Sequence, residues 1–129
     1  MNQPPERATR DELLKAITEN AHRFLQAIDN LRGVLDSVEI DMRTGLGDLD
    51  TDTPPRVIVT RYDVTTSRET LTDAVSEFTR ARHSLRLSLF SLLIDEGMSS
   101  SEIAALWGFS KQMALKQMRK LDNLPSDLT

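Results

Sequence analysis

Apolar positions recur at helical spacing along most of the chain. From Leu14 the series Leu14, Ile17, Ala21, Phe24, Ile28, Leu31, Leu35, Val38, Met42 steps by three and four without a break. That places them all on one stripe of a helix and makes a heptad seam of about four repeats. Leu13, Leu25 and Val34 widen the stripe on one side, as on the broader face of a bundle helix. Thr9 with Glu12 is a capping-box pattern, in which hydroxyl and carboxylate each satisfy a free backbone N–H. A long first helix therefore begins after a flexible tail of residues 1–8. Gly33 inside the seam marks a close helix crossing. The helix is predicted to end near residues 42–44, because Gly45, Gly47, Pro54, Pro55 and several aspartates make residues 44–56 read as a loop.

Residues 57–64, Val-Ile-Val-Thr-Arg-Tyr-Asp-Val, form the one β-like run, and at most one short strand is expected there. A lone strand is not stable, so it packs on the helices or pairs with its counterpart in a second subunit. A second long helix follows. Thr66 with Glu69, or Ser67, caps its start, and Leu71, Val75, Phe78, Leu85, Leu89 and Leu92 form its stripe, interrupted by Arg82. Between Leu85 and Ile94 the sequence turns mostly apolar, which implies burial on several sides. Gly97 supplies the stop. The fold class is mainly α.

The stretch from Leu92 to Leu121 reads as helix, turn, short helix, turn, helix. Ser99 and Glu102 form a further capping box, Gly108 suits a sharp turn, and Ser110 is a good N-cap. This is the layout of a helix-turn-helix. Ile103, Ala104, Trp107 and Phe109 are expected to wedge between the helices. The third helix then buries Ala114, Met118 and Leu121 and shows Lys111, Gln112, Leu115, Lys116 and Arg119 on its other face. Lysine and arginine suit phosphates and guanine edges, and glutamine pairs with adenine. Leu115 is either a thymine-methyl contact or a core residue, depending on the helix rotation.

The segment "SSSEIAALWGFSKQMALKQ" resembles the helix-turn-helix of bacterial and phage transcriptional regulators, whose usual form is close to S-x-x-E-I-A-x-x-L-G-V-S-R-Q-x-V. Ser99, Glu102, Ile103, Ala104, Gly108, Ser110 and Gln112 match, with Trp107, Phe109 and Lys111 standing for Leu, Val and Arg. The chain departs from the pattern at Ala114, where a branched apolar residue is usual, and at Gln117, where another apolar residue is common. The resemblance covers about a quarter of the chain. It implies that the helix from Ser110 reads DNA and that the protein works as a homodimer on paired half-sites, about 34 Å apart or a multiple of it.

Composition first argues the other way. The 129 residues hold 16 Lys and Arg against 20 Asp and Glu, a net charge of −4, whereas DNA binding usually leaves a basic footprint. The charge is uneven, however. Residues 1–79 carry 9 basic and 15 acidic residues, and residues 80–129 carry 7 basic and 5 acidic. The acidic part is expected to face away from DNA. Arg80, Arg82 and Arg86 lead into the basic part and are candidates for phosphates flanking the groove.

Other chemistries are set aside. There is no cysteine, hence no disulfide, thiolate metal site or cysteine nucleophile. His22 and His83 have no ligand partner at helical spacing. Asp48, Asp50 and Asp52 resemble the opening of a calcium loop, but Thr53 and Val59 stand where it needs Gly and Glu. No Gly-rich phosphate loop or nucleophile elbow occurs, so no enzyme and no cofactor is expected. No signal-peptide core or membrane span is present, which points to the cytoplasm.

The sequence thus divides into a tail (1–8), a helical dimerisation region (9–84), a helix-turn-helix domain (85–121) and a second tail (122–129). Ser110, Lys111, Gln112, Leu115, Lys116, Arg119, Lys120 and Arg86 are the expected contacts to double-stranded DNA. Leu14, Ile17, Ala21, Phe24, Ile28, Leu31, Leu35 and Val38 are the expected dimer seam, with an intramolecular helical hairpin compatible beside it. The function expected is that of a DNA-binding transcriptional regulator, as repressor or plasmid or phage control protein. The rival is a protein–protein adaptor that docks its helix-turn-helix and acidic helices on a polymerase- or sigma-type partner.

Overall fold

The structure, a computed structural model, describes residues 8–110 and, beyond them, 112, 113, 116, 117 and 119. Four helices occur in order: α1 (Arg10–Leu49), α2 (Pro55–Arg61), α3 (Val64–Asp95) and α4 (Ser100–Trp107). Gln112, Met113, Lys116, Gln117 and Arg119 are also helical. The fold is mainly α, and no strand occurs among the described residues. No helix among them is long and apolar enough to cross a membrane. The chain divides by contact into two units, one made of the chain up to Arg23 and from Arg82 onward, the other of Phe24–Ala81. Both long helices contribute to both units.

In the Phe24–Ala81 unit, α1 and α3 lie antiparallel. Phe24 meets Phe78 with ring centroids 5.2 Å apart, and Ala27 and Ala74 are buried. The long first helix is as expected, but it runs past its predicted end. Gly45 and Gly47 lie inside it. At Gly45 a Cβ would sit 3.9 Å from Ile58 Cγ2, an ordinary van der Waals contact, so this glycine neither ends α1 nor is required by the approach of α2. Gly33, expected at a close crossing, has nothing within 4 Å of a would-be Cβ. The expected loop at 44–56 shrinks to the turn between Leu49 and Pro55. Asp50 N–H donates to Gly47 O at 3.2 Å and Thr51 N–H to Asp48 O at 3.1 Å.

The β-like run is no strand: residues 57–61 are helical, Tyr62 is extended and Val64 begins α3. Pro54 is extended, Pro55 is the first helical residue, and proline there needs no N–H and already has the right φ. Ile58 is buried and Thr60 Oγ donates to Arg56 O at 2.8 Å. β-branched residues lose well under 1 kcal/mol each in a helix. With no partner strand, packing decides. The second long helix starts earlier than its predicted caps. Asp63 is the cap, accepting the Thr66 N–H at 3.0 Å and the Thr66 hydroxyl at 2.7 Å.

Of the seam, Ile17, Ala21, Phe24, Ile28, Leu31 and Val38 are half-buried, whereas Leu14 and Leu35 are exposed. The buried positions of α1 are Leu13 and Ala27, one step round the helix. The stripe is therefore used in part within the chain.

Candidate nucleic-acid interface

The unit containing α4 is built on local rules that the sequence states plainly. α3 ends at Asp95, and Gly97 takes φ +95°. Gly97 N–H donates to Ile94 O at 2.9 Å and Met98 N–H to Leu93 O at 3.0 Å, the two bonds of a Schellman cap. Ser99 then starts α4. Its hydroxyl accepts the Glu102 N–H and the Glu102 carboxylate accepts the Ser99 N–H, both at 3.2 Å. At the end of α4 the device repeats. Gly108 takes φ +71° and Phe109 N–H donates to Ala104 O at 2.9 Å. Ser110 Oγ then accepts the Met113 N–H at 3.1 Å, the bond of an N-cap. Gly-Met-Ser at 97–99 and Gly-Phe-Ser at 108–110 are the same turn written twice. That repeat is a signal the sequence reading passed over.

These turns fold the helices onto an aromatic core. Phe90 and Ile103 are fully buried, with Ala104 and Leu87 nearly so. Trp107 meets the Phe90 ring edge-on at 4.7 Å, and Phe109 meets it at 6.4 Å. Edge-to-face pairs of this kind contribute about 0.5–1.5 kcal/mol beyond burial. The four wedge residues read from the sequence are thus in place. Phe90, which they close on, was not singled out there, since nothing distinguishes it within the apolar run. On the α1 side Leu13 is buried, and Asn20 donates to the buried Ser88 hydroxyl, which gives two mid-helix polar groups a partner.

The predicted DNA contacts divide into four groups. Gln112, Lys116 and Arg119 are exposed and, at steps of four and three, share one helical face. Gln117 lies on another face and is 6% exposed. This is the position where the regulator pattern commonly has an apolar residue. Ser110 is the cap just described. Arg86 is half-buried: its Cζ lies 5.4 Å from the centroid of the Phe109 ring, and its Nη2 is 3.0 Å from His83 Nδ1. Burial, and secondarily the charge of Arg82, hold its guanidinium below the usual arginine range. A cation over a ring face adds attraction, so Arg86 braces the turn that leads into Ser110. Lys111, Leu115 and Lys120, with Ala114, Met118 and Leu121, lie outside the described residues.

The basic character is local. From Arg80 to Ile94, α3 carries Arg80, Arg82, His83 and Arg86 and no carboxylate. Among the described residues no group of three or more His, Asp or Glu side chains is placed to hold a metal ion. Asp48 lies within α1 and its carboxylate is 3.5 Å from Arg61.

Compared with protein-family models, curated proteins and solved structures, the chain has no match. What can be argued about function rests on this geometry and on the sequence pattern.

Proposed function

We propose that the protein is a dimeric, sequence-specific double-stranded DNA-binding regulator acting in the cytoplasm, with the helix that starts at Ser110 as its reader. One observation carries the reading. Two glycine-capped, serine-started turns follow α3 and α4, whose core is Phe90 and Ile103, and Gln112, Lys116 and Arg119 are exposed on one face of the helical segment that starts at Ser110. Two long cations and an amide at that spacing match what a major groove presents: phosphates at the rim, guanine and adenine edges on the floor. One such helix makes few base contacts, so binding is shared by two subunits on two half-sites. Occupancy of a control site makes repression the simplest outcome.

The test is duplex binding against salt, on fragments selected from the source genome. Affinity is expected to fall steeply as salt rises, because neutralised phosphates release counterions. Changing Gln112, Lys116 and Arg119 together to Ala is expected to abolish binding with helicity unchanged. Absence of binding to any fragment, or an affinity indifferent to salt, would sink the reading.

A second reading has its own support. The Phe24–Ala81 unit carries 6 basic and 11 acidic residues and keeps large apolar side chains exposed, which suits an adaptor that docks on another transcription protein. A flat salt response with retained binding to such a partner would favour it.

A further inference from the structure

We propose that a second copy of this chain binds along the exposed end of the α1 stripe. The face consists of Leu35, Met42, Leu46 and Leu49, flanked by Val59 of α2 and Val64 of α3. This inference rests on the dimeric reading above for its purpose, but on its own observations for its place.

The first observation is exposure. Met42, Leu46, Leu49, Val59 and Val64 are 61, 57, 54, 55 and 52% exposed, and together they line a groove of about 330 Å³ floored by Ile58 and Gly45. Singly exposed apolar residues are normal on soluble proteins, but large side chains gathered round one groove mark an interface.

The second is pattern. Leu35, Met42 and Leu49 recur every seven residues, with Leu46 four after Met42 and three before Leu49. This is the spacing by which one helix seats its knobs between those of another. Upstream, the same stripe is occupied within the chain, where Phe24 rests on Phe78. The free end is the part left to pair.

The third is charge. A two-fold interface sets a patch against itself, so its rim needs both signs. On α1, Arg32, Asp36, Glu39 and Arg43 follow one another at steps of four, three and four along one flank of the stripe. The Arg32–Asp29 and Arg43–Glu39 pairs are highly exposed, at 3.6 and 2.9 Å, and exposed pairs of this kind are easily exchanged. A rim acidic throughout would select a basic foreign partner instead. Of the seam expected from the sequence, Leu14 to Val38, this keeps only Leu35 as a contact and continues beyond Val38 to Leu49 and α2.

Sedimentation of the full chain decides the matter. The wild-type protein is expected at twice the monomer mass. Leu46→Asp and, separately, Val59→Glu are expected to weaken self-association by about 100-fold or more, since each would bury an unpaired charge. Both positions are exposed in the monomer, so circular dichroism should be unchanged. Ile40→Asp, at a site 63% exposed and on the far side of α1 from Leu35, Met42 and Leu49, serves as the control that stays dimeric. A wild-type monomer at all concentrations overturns the proposal and hands the groove to a foreign protein. A dimer indifferent to both substitutions overturns it as well. Duplex binding is measured on the same samples. A dimer that dissociates as expected while no form binds DNA leaves this inference standing and removes the regulator reading. DNA binding by a dimer that these changes do not touch does the reverse.

Discussion

The two contact units differ in how well they close. Phe90 and Ile103, the largest fully buried side chains among the described residues, both belong to the unit that contains α4. Of the thirteen large apolar side chains exposed among the described residues, nine belong to Phe24–Ala81. The reason is the number of surfaces that converge. In the unit containing α4, Trp107 and Phe109 close on Phe90 of α3, and the start of α1 adds the buried Leu13 and the Asn20–Ser88 bond. In the other unit two long helix segments meet only a seven-residue α2, and each helix of such a pair can cover one stripe. Its apolar surplus stays outside. Charge follows the same line: 10 basic against 9 acidic residues in the first unit, 6 against 11 in the second. On the proposed function, the closed, nearly neutral unit is the one suited to hold side chains in fixed geometry against a groove, and the open, acidic one is suited to association away from DNA.

The sharpest way to break this contrast is to remove a ring. Phe90→Ala is expected to cost about 3–5 kcal/mol, by lost transfer energy and by the cavity left under Trp107 and Phe109. Leu25→Ala, at a site 56% exposed, should stay within about 0.5 kcal/mol. Urea denaturation measures both. Equal losses would mean that the unit containing α4 is no better closed than its neighbour.

A smaller effect tests the turns. Ser99→Ala should cost about 1 kcal/mol of stability, because the hydroxyl that accepts the Glu102 N–H is lost, although the backbone N–H at 99 can still donate to the Glu102 carboxylate. Ser99→Asp should restore most of it, since a carboxylate caps equally well and is favoured at a helix N-terminus. Full stability in Ser99→Ala would show that tertiary packing alone starts α4.

What was legible in the sequence follows from where each decision is made. The turns at Gly97–Ser99 and Gly108–Ser110 are decided within five residues, by left-handed glycine and a serine cap, so they could be read directly. The wedge of Ile103, Ala104, Trp107 and Phe109 follows from periodicity once those turns are placed. The 44–64 region is decided at a distance. Gly45 and Gly47 read as breakers, and Val57, Ile58 and Val59 as a strand, because nothing local records that Ile58 packs over Gly45. The start of α3 was misplaced for a different reason. Thr66–Glu69 and Asp63–Thr66 are both valid cap spacings, and the upstream one won, extending α3 by almost a turn. In the candidate site, the exposed face of Gln112, Lys116 and Arg119 was readable from spacing alone. The commitment of Arg86 to Phe109 was not, since it depends on how the turn folds back over α3.

That upstream cap gives the smallest expected effect and a further difference between the units. Asp63 starts α3 in the acidic unit. The Thr66 hydroxyl, and after it the Thr66 backbone N–H, hold its carboxyl below the usual carboxylate range. A carboxyl depressed in the folded chain stabilises it above the ordinary value of about 3.9, and that contribution is lost as pH falls through the depressed value. Asp63→Asn keeps a cap but cannot titrate. The stability difference between wild type and Asp63→Asn should therefore be constant near neutrality and shrink below about pH 4. Ser110, the neutral cap of the other unit, provides the contrast, because the loss in Ser110→Ala carries no titration of its own. If the Asp63 difference did not change with pH, the carboxylate would not be what starts α3.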